Sequence, residues 1–123
     1  MSVRVGIDLV TVEQVQEAIA EHGERYLSRV YTERERRESR SEPRRLAARF
    51  AAKEATMKAL GRGNEGFGWR SIAVAAGDSG QPTIELTGAV RDLADRRGVS
   101  NLTVSLTHEA AYAAAVVVAE VAP

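Results

Sequence analysis

Cysteine is absent from these 123 residues, so the chain builds neither a disulfide scaffold nor a thiolate metal site. Lysine is scarce: of seventeen basic residues only Lys53 and Lys58 are lysine, the rest being arginine. Net charge is missing too, seventeen acids balancing seventeen bases, so no overall field draws the chain onto nucleic acid or a membrane surface. No apolar run approaches the length of a membrane span. The opening Met1-Ser2-Val3-Arg4-Val5 lacks the sustained apolar stretch of a signal peptide. A cytoplasmic protein is expected, with neither nucleic acid nor membrane among its partners.

With 44% apolar residues, a chain of this length is expected to form a single domain over 1–123 and to bury roughly two thirds of its unfolded surface. Charge is balanced only on average. Residues 25–49 hold nine arginines against four glutamates, whereas residues 13–24 hold four glutamates and no Lys or Arg. Such a basic block is a solvated helical face or a dock for an acidic partner.

Val3, Val5, Ile7 and Leu9 alternate with Arg4, Gly6 and Asp8, the period of a half-buried strand, with Asp8 on the face opposite the apolar residues. Thr11 and Gln14 form a capping box, Val10 and Val15 a hydrophobic staple, and Gly23 a left-handed cap closing the first helix. A short helical piece around Tyr26 to Val30 follows, then a second capping box, Thr32 with Glu35, opens a charged helix to about Arg40. Pro43 suits the first turn of a long helix running to Leu60 and stopped by Gly61. Its buried stripe is Leu46, Phe50, Met57 and Leu60. At about 100° per residue, Lys53 falls inside that stripe while Glu54 and Lys58 lie together on its edge. A lysine placed there either snorkels or meets an anionic group.

The glycine-rich stretch from Gly61 to Gly68 reads as a loop whose backbone admits close approach of a ligand. Ile72 to Ala76 and Pro82 to Leu86 read as strands joined by a turn, followed by a helix from about Ala89 to Arg97 capped by Thr87. Leu102, Val104 and Leu106 alternate as a strand. Ala111 to Val121 reads as a buried strand, because Val116-Val117-Val118 outweighs the helix preference of its alanines. The order of elements gives an α+β fold with a largely antiparallel sheet packed with helices.

Three pieces carry the chemistry: Gly6-Ile7-Asp8-Leu9-Val10, the helix from Arg49 to Gly61, and Ser105-Leu106-Thr107-His108 leading into Ala113-Ala114-Ala115. In this order and at these separations, over nearly the whole chain, they resemble the holo-acyl-carrier-protein synthase family of 4′-phosphopantetheinyl transferases. The resemblance implies that family's fold and its reaction, which moves the phosphopantetheine arm of coenzyme A onto a serine of an apo-acyl carrier protein. It implies Mg²⁺, or Mn²⁺, held by Asp8 and Glu54, with Lys58 on the pyrophosphate and Asp8, Glu54 and Lys58 as the catalytic set. A hard cation of this kind takes one or two carboxylates and fills its sphere with water and substrate phosphate. Metal-bound water and Glu54 are both candidate bases for the serine.

For coenzyme A the resemblance implies contacts from Arg49, Lys53, Lys58, Gly61, Gly80, Pro82, Ser105, Thr107 and His108. It also implies a homotrimer with CoA between subunits. Two departures stand out. Gln81 replaces the basic residue of the family's Gly-Lys/Arg-Pro turn, so any phosphate contact from that side chain is lost. The first helix carries Glu13, Glu17 and Glu21 where family members often place the bases that meet the acidic carrier. Carrier docking is therefore expected at the arginine block, beginning with Arg25 and Arg29. His22 receives no role beyond a partner for its helix dipole. Rival readings are another Mg²⁺-dependent phosphotransferase acting on a nucleotide, a CoA-binding or carrier-docking module without turnover, and a small nucleic-acid binder. Neutral charge and the lack of a stacking motif disfavour the last.

Overall fold

The computed structural model describes residues 2–61 and 67–123. The expected close approach along the glycine-rich stretch falls largely on residues 62–66, outside the described residues. In chain order the elements are β1 (Ser2–Thr11), α1 (Val12–His22), α2 (Glu24–Val30), α3 (Glu33–Ser39), α4 (Pro43–Ala59), a single 3₁₀ turn (Trp69–Ser71), β2 (Ile72–Ala76), β3 (Pro82–Leu86), α5 (Gly88–Arg96), β4 (Val99–His108) and β5 (Tyr112–Val121). β1, β5 and β4 form an antiparallel three-stranded sheet in that order, and β2 and β3 form a separate antiparallel hairpin.

Both capping boxes are present: Thr11 with Gln14 opens α1, and Thr32 with Glu35 opens α3. Gly23 has positive φ (54°) but ψ of −129°, so it is not the left-handed helical cap expected. Thr87 occupies the N-cap of α5 but makes no side-chain capping bond.

Helix α4 lies across the three-stranded sheet, and the interface between them is built from the smallest side chains. Ala47, Ala48, Ala51, Ala52, Ala55 and Ala59 are buried on the helix, facing Ala113, Ala115, Val117 and Ala119 of β5. The C-terminal alanines, ambiguous as composition, are therefore the sheet's contribution to a close helix–sheet contact. Gly6 is its tightest point: a methyl group there would overlap the Ala55 carbonyl oxygen and crowd the Ala59 nitrogen. Leu46, Met57 and Leu60 are buried as expected, whereas Phe50 is half-buried against Trp69, ring centroids 5.2 Å apart.

β1 reverses one expectation. Its alternation is real, but Gly6 and Val10 face the core, and Val3, Val5, Ile7 and Leu9 are 58–66% exposed. At Gly6 the inner face stands too close to α4 for any side chain; Val10 is buried, and four branched apolar residues, Val3, Val5, Ile7 and Leu9, take the outer face. There Ile7 aligns with Val116 and Ser105, and Val5 with Val118 and Thr103.

Candidate active site

The glycine-permitted approach of β1 to α4 sets Asp8 against two residues one helical turn apart, Glu54 and Lys58. The Lys58 ammonium donates to Asp8 Oδ1 at 2.9 Å and to the Ile7 carbonyl at 3.0 Å. Lys58 remains 55% exposed, whereas the Asp8 side chain is only 10% exposed. Asp8 Oδ2 is buried and finds no hydrogen-bond partner among the described residues. Burial, then the negative charge of Asp8, holds the Glu54 carboxyl above the usual carboxylate range, and Lys58 draws it part of the way back. Two carboxylates thus repel each other beside a single ammonium.

A divalent cation relieves that arrangement. An orphaned buried carboxylate oxygen and a second carboxylate with raised proton affinity are what a hard, oxygen-seeking ion satisfies. Among the described residues no group of three or more His, Cys, Asp or Glu forms a complete cage. The donor set fits Mg²⁺, which leaves most of its sphere to water and substrate.

The residues expected at the cofactor divide into separate places. Arg49, Gly80 and Pro82 come together around a cavity of about 220 Å³, with Val74, Ala75, Ala76 and Leu106 completing its wall. The Arg49 Nε is buried without a hydrogen-bond partner among the described residues, while one terminal nitrogen donates to the Arg45 carbonyl at 3.2 Å. Burial lowers the Arg49 pKa, and the charges of Glu35 and Glu38 oppose that shift. Gln81 turns into its own loop, its side-chain oxygen accepting from the Ser79 amide at 3.0 Å.

Ser105 and Thr107 lie on the outer, exposed face of the sheet, beside Ile7, Ala114 and Val116. His108 is exposed at the end of β4, aligned with Ala113, so it is not a core residue. Gly61, with φ of 77°, ends α4 one turn past Lys58. Within one chain, then, the Asp8 cluster is on the helix-facing side of the sheet, and Ser105 and Thr107 are on the opposite side.

Lys53 requires a correction. It is fully buried, and its three N–H bonds are committed to Glu35 Oε1 at 2.7 Å, the Trp69 carbonyl at 3.1 Å and the Ile72 carbonyl at 2.6 Å. Its ammonium also lies 5.7 Å from the centre of the Tyr31 ring. Burial pushes its pKa down against the pull of Glu35. No donor remains for a cofactor, so Lys53 meets its anion inside the protein. The sequence showed Glu35 only as a capping residue. Its carboxylate in fact accepts from the Thr32 and Val74 amides as well as from Lys53.

The arginine block is partly self-neutralised. Arg36 grips both oxygens of Glu24, Arg34 bonds Glu38, and Arg44 and Arg45 share Glu42. Arg25 and Arg29 are exposed, have no ion pair among the described residues, and line a groove of about 270 Å³ with His22 and Tyr26.

The comparisons with known proteins bear on this geometry. Residues 4–117 match the model of the 4′-phosphopantetheinyl transferase superfamily. The chain belongs to that family. A holo-[acyl-carrier-protein] synthase of Herpetosiphon aurantiacus is 40% identical over 120 residues, covering 92% of this chain and 94% of that protein. One from Gloeobacter violaceus is 43% identical over 118 residues, covering 93% and 89% respectively. The crystal structure of the Helicobacter pylori holo-[acyl-carrier-protein] synthase in complex with coenzyme A superposes with a TM-score of 0.85 at 26% identity, covering 94% of this chain and 99% of that one. As a transferase of this family the chain has an α+β fold with an antiparallel sheet. Among its described residues no helix is long and apolar enough to cross a membrane.

Proposed function

We propose that this chain is a holo-[acyl-carrier-protein] synthase. It transfers the 4′-phosphopantetheine arm of coenzyme A to a serine of an apo-acyl carrier protein and releases adenosine 3′,5′-bisphosphate. The observation that carries this reading is the convergence of Asp8, Glu54 and Lys58, with one Asp8 oxygen buried and unpartnered.

Asp8 Oδ2 and the Glu54 carboxylate would hold Mg²⁺ or Mn²⁺, and such an ion would supply charge neutralisation on the diphosphate. Lys58, anchored by Asp8 and the Ile7 carbonyl yet open to solvent, donates to the phosphate that departs with the nucleotide. Glu54, on the helix edge beside Lys58, is the base we assign to the serine hydroxyl. The serine Oγ bonds to the phosphorus carrying the pantetheine arm as the bridging P–O bond breaks. Arg49 offers its unpartnered Nε to a CoA phosphate, and the Gly80–Pro82 turn abuts the nucleotide end.

The exposed apolar stripe of β1 and the scatter of cofactor residues over two sheet faces support a homotrimer. In it one copy's Asp8 cluster meets a neighbour's cavity, with Gly61, Ser105, Thr107 and His108 near the shared CoA. The carrier docks on Arg25 and Arg29. A carrier protein and coenzyme A as partners support a cytoplasmic location, with residues 1–123 acting as one domain. Mass spectrometry of apo-carrier incubated with CoA and Mg²⁺ tests the assignment. One serine should gain the phosphopantetheine mass with wild-type protein and none with Asp8→Ala or Glu54→Ala; an unmodified carrier with wild-type protein defeats it.

A further inference from the structure

β2 pairs with β3 alone among the described strands, so its other edge carries backbone groups that need partners. Side chains supply them: Lys53 donates to the Ile72 carbonyl, and Glu35 accepts from the Val74 amide. At Ala76, the last residue of β2, both backbone groups are held. Glu38 Oε1 accepts from the Ala76 amide at 3.1 Å, and Arg34 Nη2 donates to the Ala76 carbonyl at 2.9 Å. Arg34 Nε donates in turn to Glu38 Oε2 at 3.0 Å, which closes a ring around one residue. A facing residue in an antiparallel pair makes the same double exchange. Arg34 Nη1 also meets Glu85 of β3 at 3.5 Å, so both strands of the hairpin are touched.

An i, i+4 ion pair on a half-exposed helix face contributes little by itself. What sets this one apart is where Ala76 stands. Directly after it the chain turns through residues 77–80, the Gly77 amide donating to the Gln81 carbonyl at 2.6 Å and the Gly80 amide to the Gly77 carbonyl at 2.9 Å. Gly80 and Pro82, beyond the turn, line the Arg49 cavity opposite Val74, Ala75 and Ala76. Gln81 is neutral and bonds within the turn, so order there depends on how the hairpin is anchored. We propose that Arg34 and Glu38 are positioning residues that hold this turn, and through it Gly80 and Pro82, at the nucleotide end of coenzyme A. The hold on the turn follows from the bonds to Ala76; its consequence for coenzyme A rests on the function proposed above.

Steady-state kinetics of Arg34→Met, Glu38→Leu and the double variant test it. Each single variant should raise KM for coenzyme A about fivefold and leave kcat within about twofold. The double variant should be no worse than the larger single one, because the ring opens only once. The signs separate positioning from charge. Losing Arg34 removes a cation and losing Glu38 an anion, so a field effect on the anionic cofactor would shift KM in opposite directions. Opposite shifts overturn the proposal, and so do fully additive ones. A merely structural pair would lower the active fraction, and hence kcat, with KM for coenzyme A intact; that result overturns it too.

Amide hydrogen exchange of the free protein, followed by ¹H–¹⁵N NMR, reads the hold without coenzyme A. The Gly80 amide should exchange about threefold faster or more in both single variants. Unchanged exchange overturns the proposal, and faster exchange with KM unchanged removes the positioning role while leaving the function intact. If wild type neither binds coenzyme A nor transfers from it, the proposed function fails, and exchange at Gly80 then decides the hold on the turn alone.

Discussion

Lys58 holds Asp8 by one oxygen only: its ammonium is 2.9 Å from Oδ1, while Oδ2 is buried and unpartnered. The pair therefore fixes the carboxylate's orientation and leaves half of it available to a cation. Asp8→Asn keeps the shape and removes the charge. Transfer should fall by about two to three orders of magnitude, as when one stabilising group is removed from a reacting centre. Mn²⁺ affinity, read by electron paramagnetic resonance, should fall in parallel. Because Lys58 is largely exposed, the melting temperature of the metal-free protein should hardly change. Full Mn²⁺ affinity in the variant would remove Asp8 from the metal site.

Glu54 predicts a pH effect of the opposite kind. Its carboxyl is held above the unfolded value of 4.5 by burial and by Asp8. Between the two values the folded state binds more protons than the unfolded one, so stability is highest at low pH and is lost as pH rises through the folded value. At neutral pH the ionised group is a net cost. In chelator, Glu54→Gln should therefore raise stability at pH 7 by about 0.5 kcal/mol, a figure already reduced for the solvent reaching this half-exposed carboxylate. The gain should vanish below the unfolded pKa. Thermal unfolding of both proteins at pH 4 and pH 7 measures it, and a destabilised variant at pH 7 would reverse the assignment.

The pattern of residues displayed most of the fold because most of its elements carry local signals. Capping boxes at Thr11 and Thr32, Pro43 at a helix start and alternation through Leu102–Leu106 all act within a few residues of where they are read. What stayed hidden is set by contacts distant in sequence. Alternation gave the period of β1 but not which face is inside, because that depends on Gly6 meeting Ala55 from another element. The helical wheel put Lys53 on the buried stripe. Its partner Glu35 lies eighteen residues away and looked like a cap alone. The division of cofactor residues between two sheet faces is likewise a matter of register, which no single motif contains.

The buried Lys53–Glu35 pair is a joint between α3, α4 and β2, and removing one member strands the other. Lys53→Met should cost about 3–5 kcal/mol by denaturant unfolding. Adding Glu35→Leu removes the stranded charge and should recover part of that loss. Recovery should stop short of wild type by about 1–3 kcal/mol, because the Val74 amide, now bonded to Glu35 at 3.0 Å, is left without an acceptor. A Lys53→Met single variant as stable as wild type would contradict the joint.

Carrier docking on α2 predicts a kinetic signature confined to one substrate. Arg25 and Arg29 are exposed and free of ion pairs among the described residues, whereas α1 carries Glu13, Glu17 and Glu21, and the Glu17 pKa is raised by a hydrogen bond with Glu13 and then by the charge of that neighbour. Arg25→Glu with Arg29→Glu should raise KM for the carrier about tenfold or more at low salt and leave KM for CoA unchanged. The difference should shrink as salt rises. An unchanged carrier KM with unchanged salt dependence would move docking elsewhere.

The outer face of β1 makes the strongest claim about assembly. Val3, Val5, Ile7 and Leu9 are each more than half exposed, in a strand whose neighbour places Val116 and Val118 on the same face. A single chain has no reason to keep such a stripe uncovered, and the same face carries Ser105 and Thr107, away from the Asp8 cluster. In the proposed trimer another copy covers it, burying the stripe and bringing the expected cofactor residues toward one another. Val5→Glu places a charge in that contact, three residues from Asp8 and on the opposite side of the sheet. Sedimentation should show wild type as a trimer of 13.3 kDa chains and the variant as a folded monomer. On the proposed shared site transfer should fall with assembly, because the Arg49 cavity of one copy and the Asp8 and Glu54 carboxylates of another would no longer meet one ligand. A monomeric variant with full activity would show that one chain is a complete enzyme, and the shared site would be wrong.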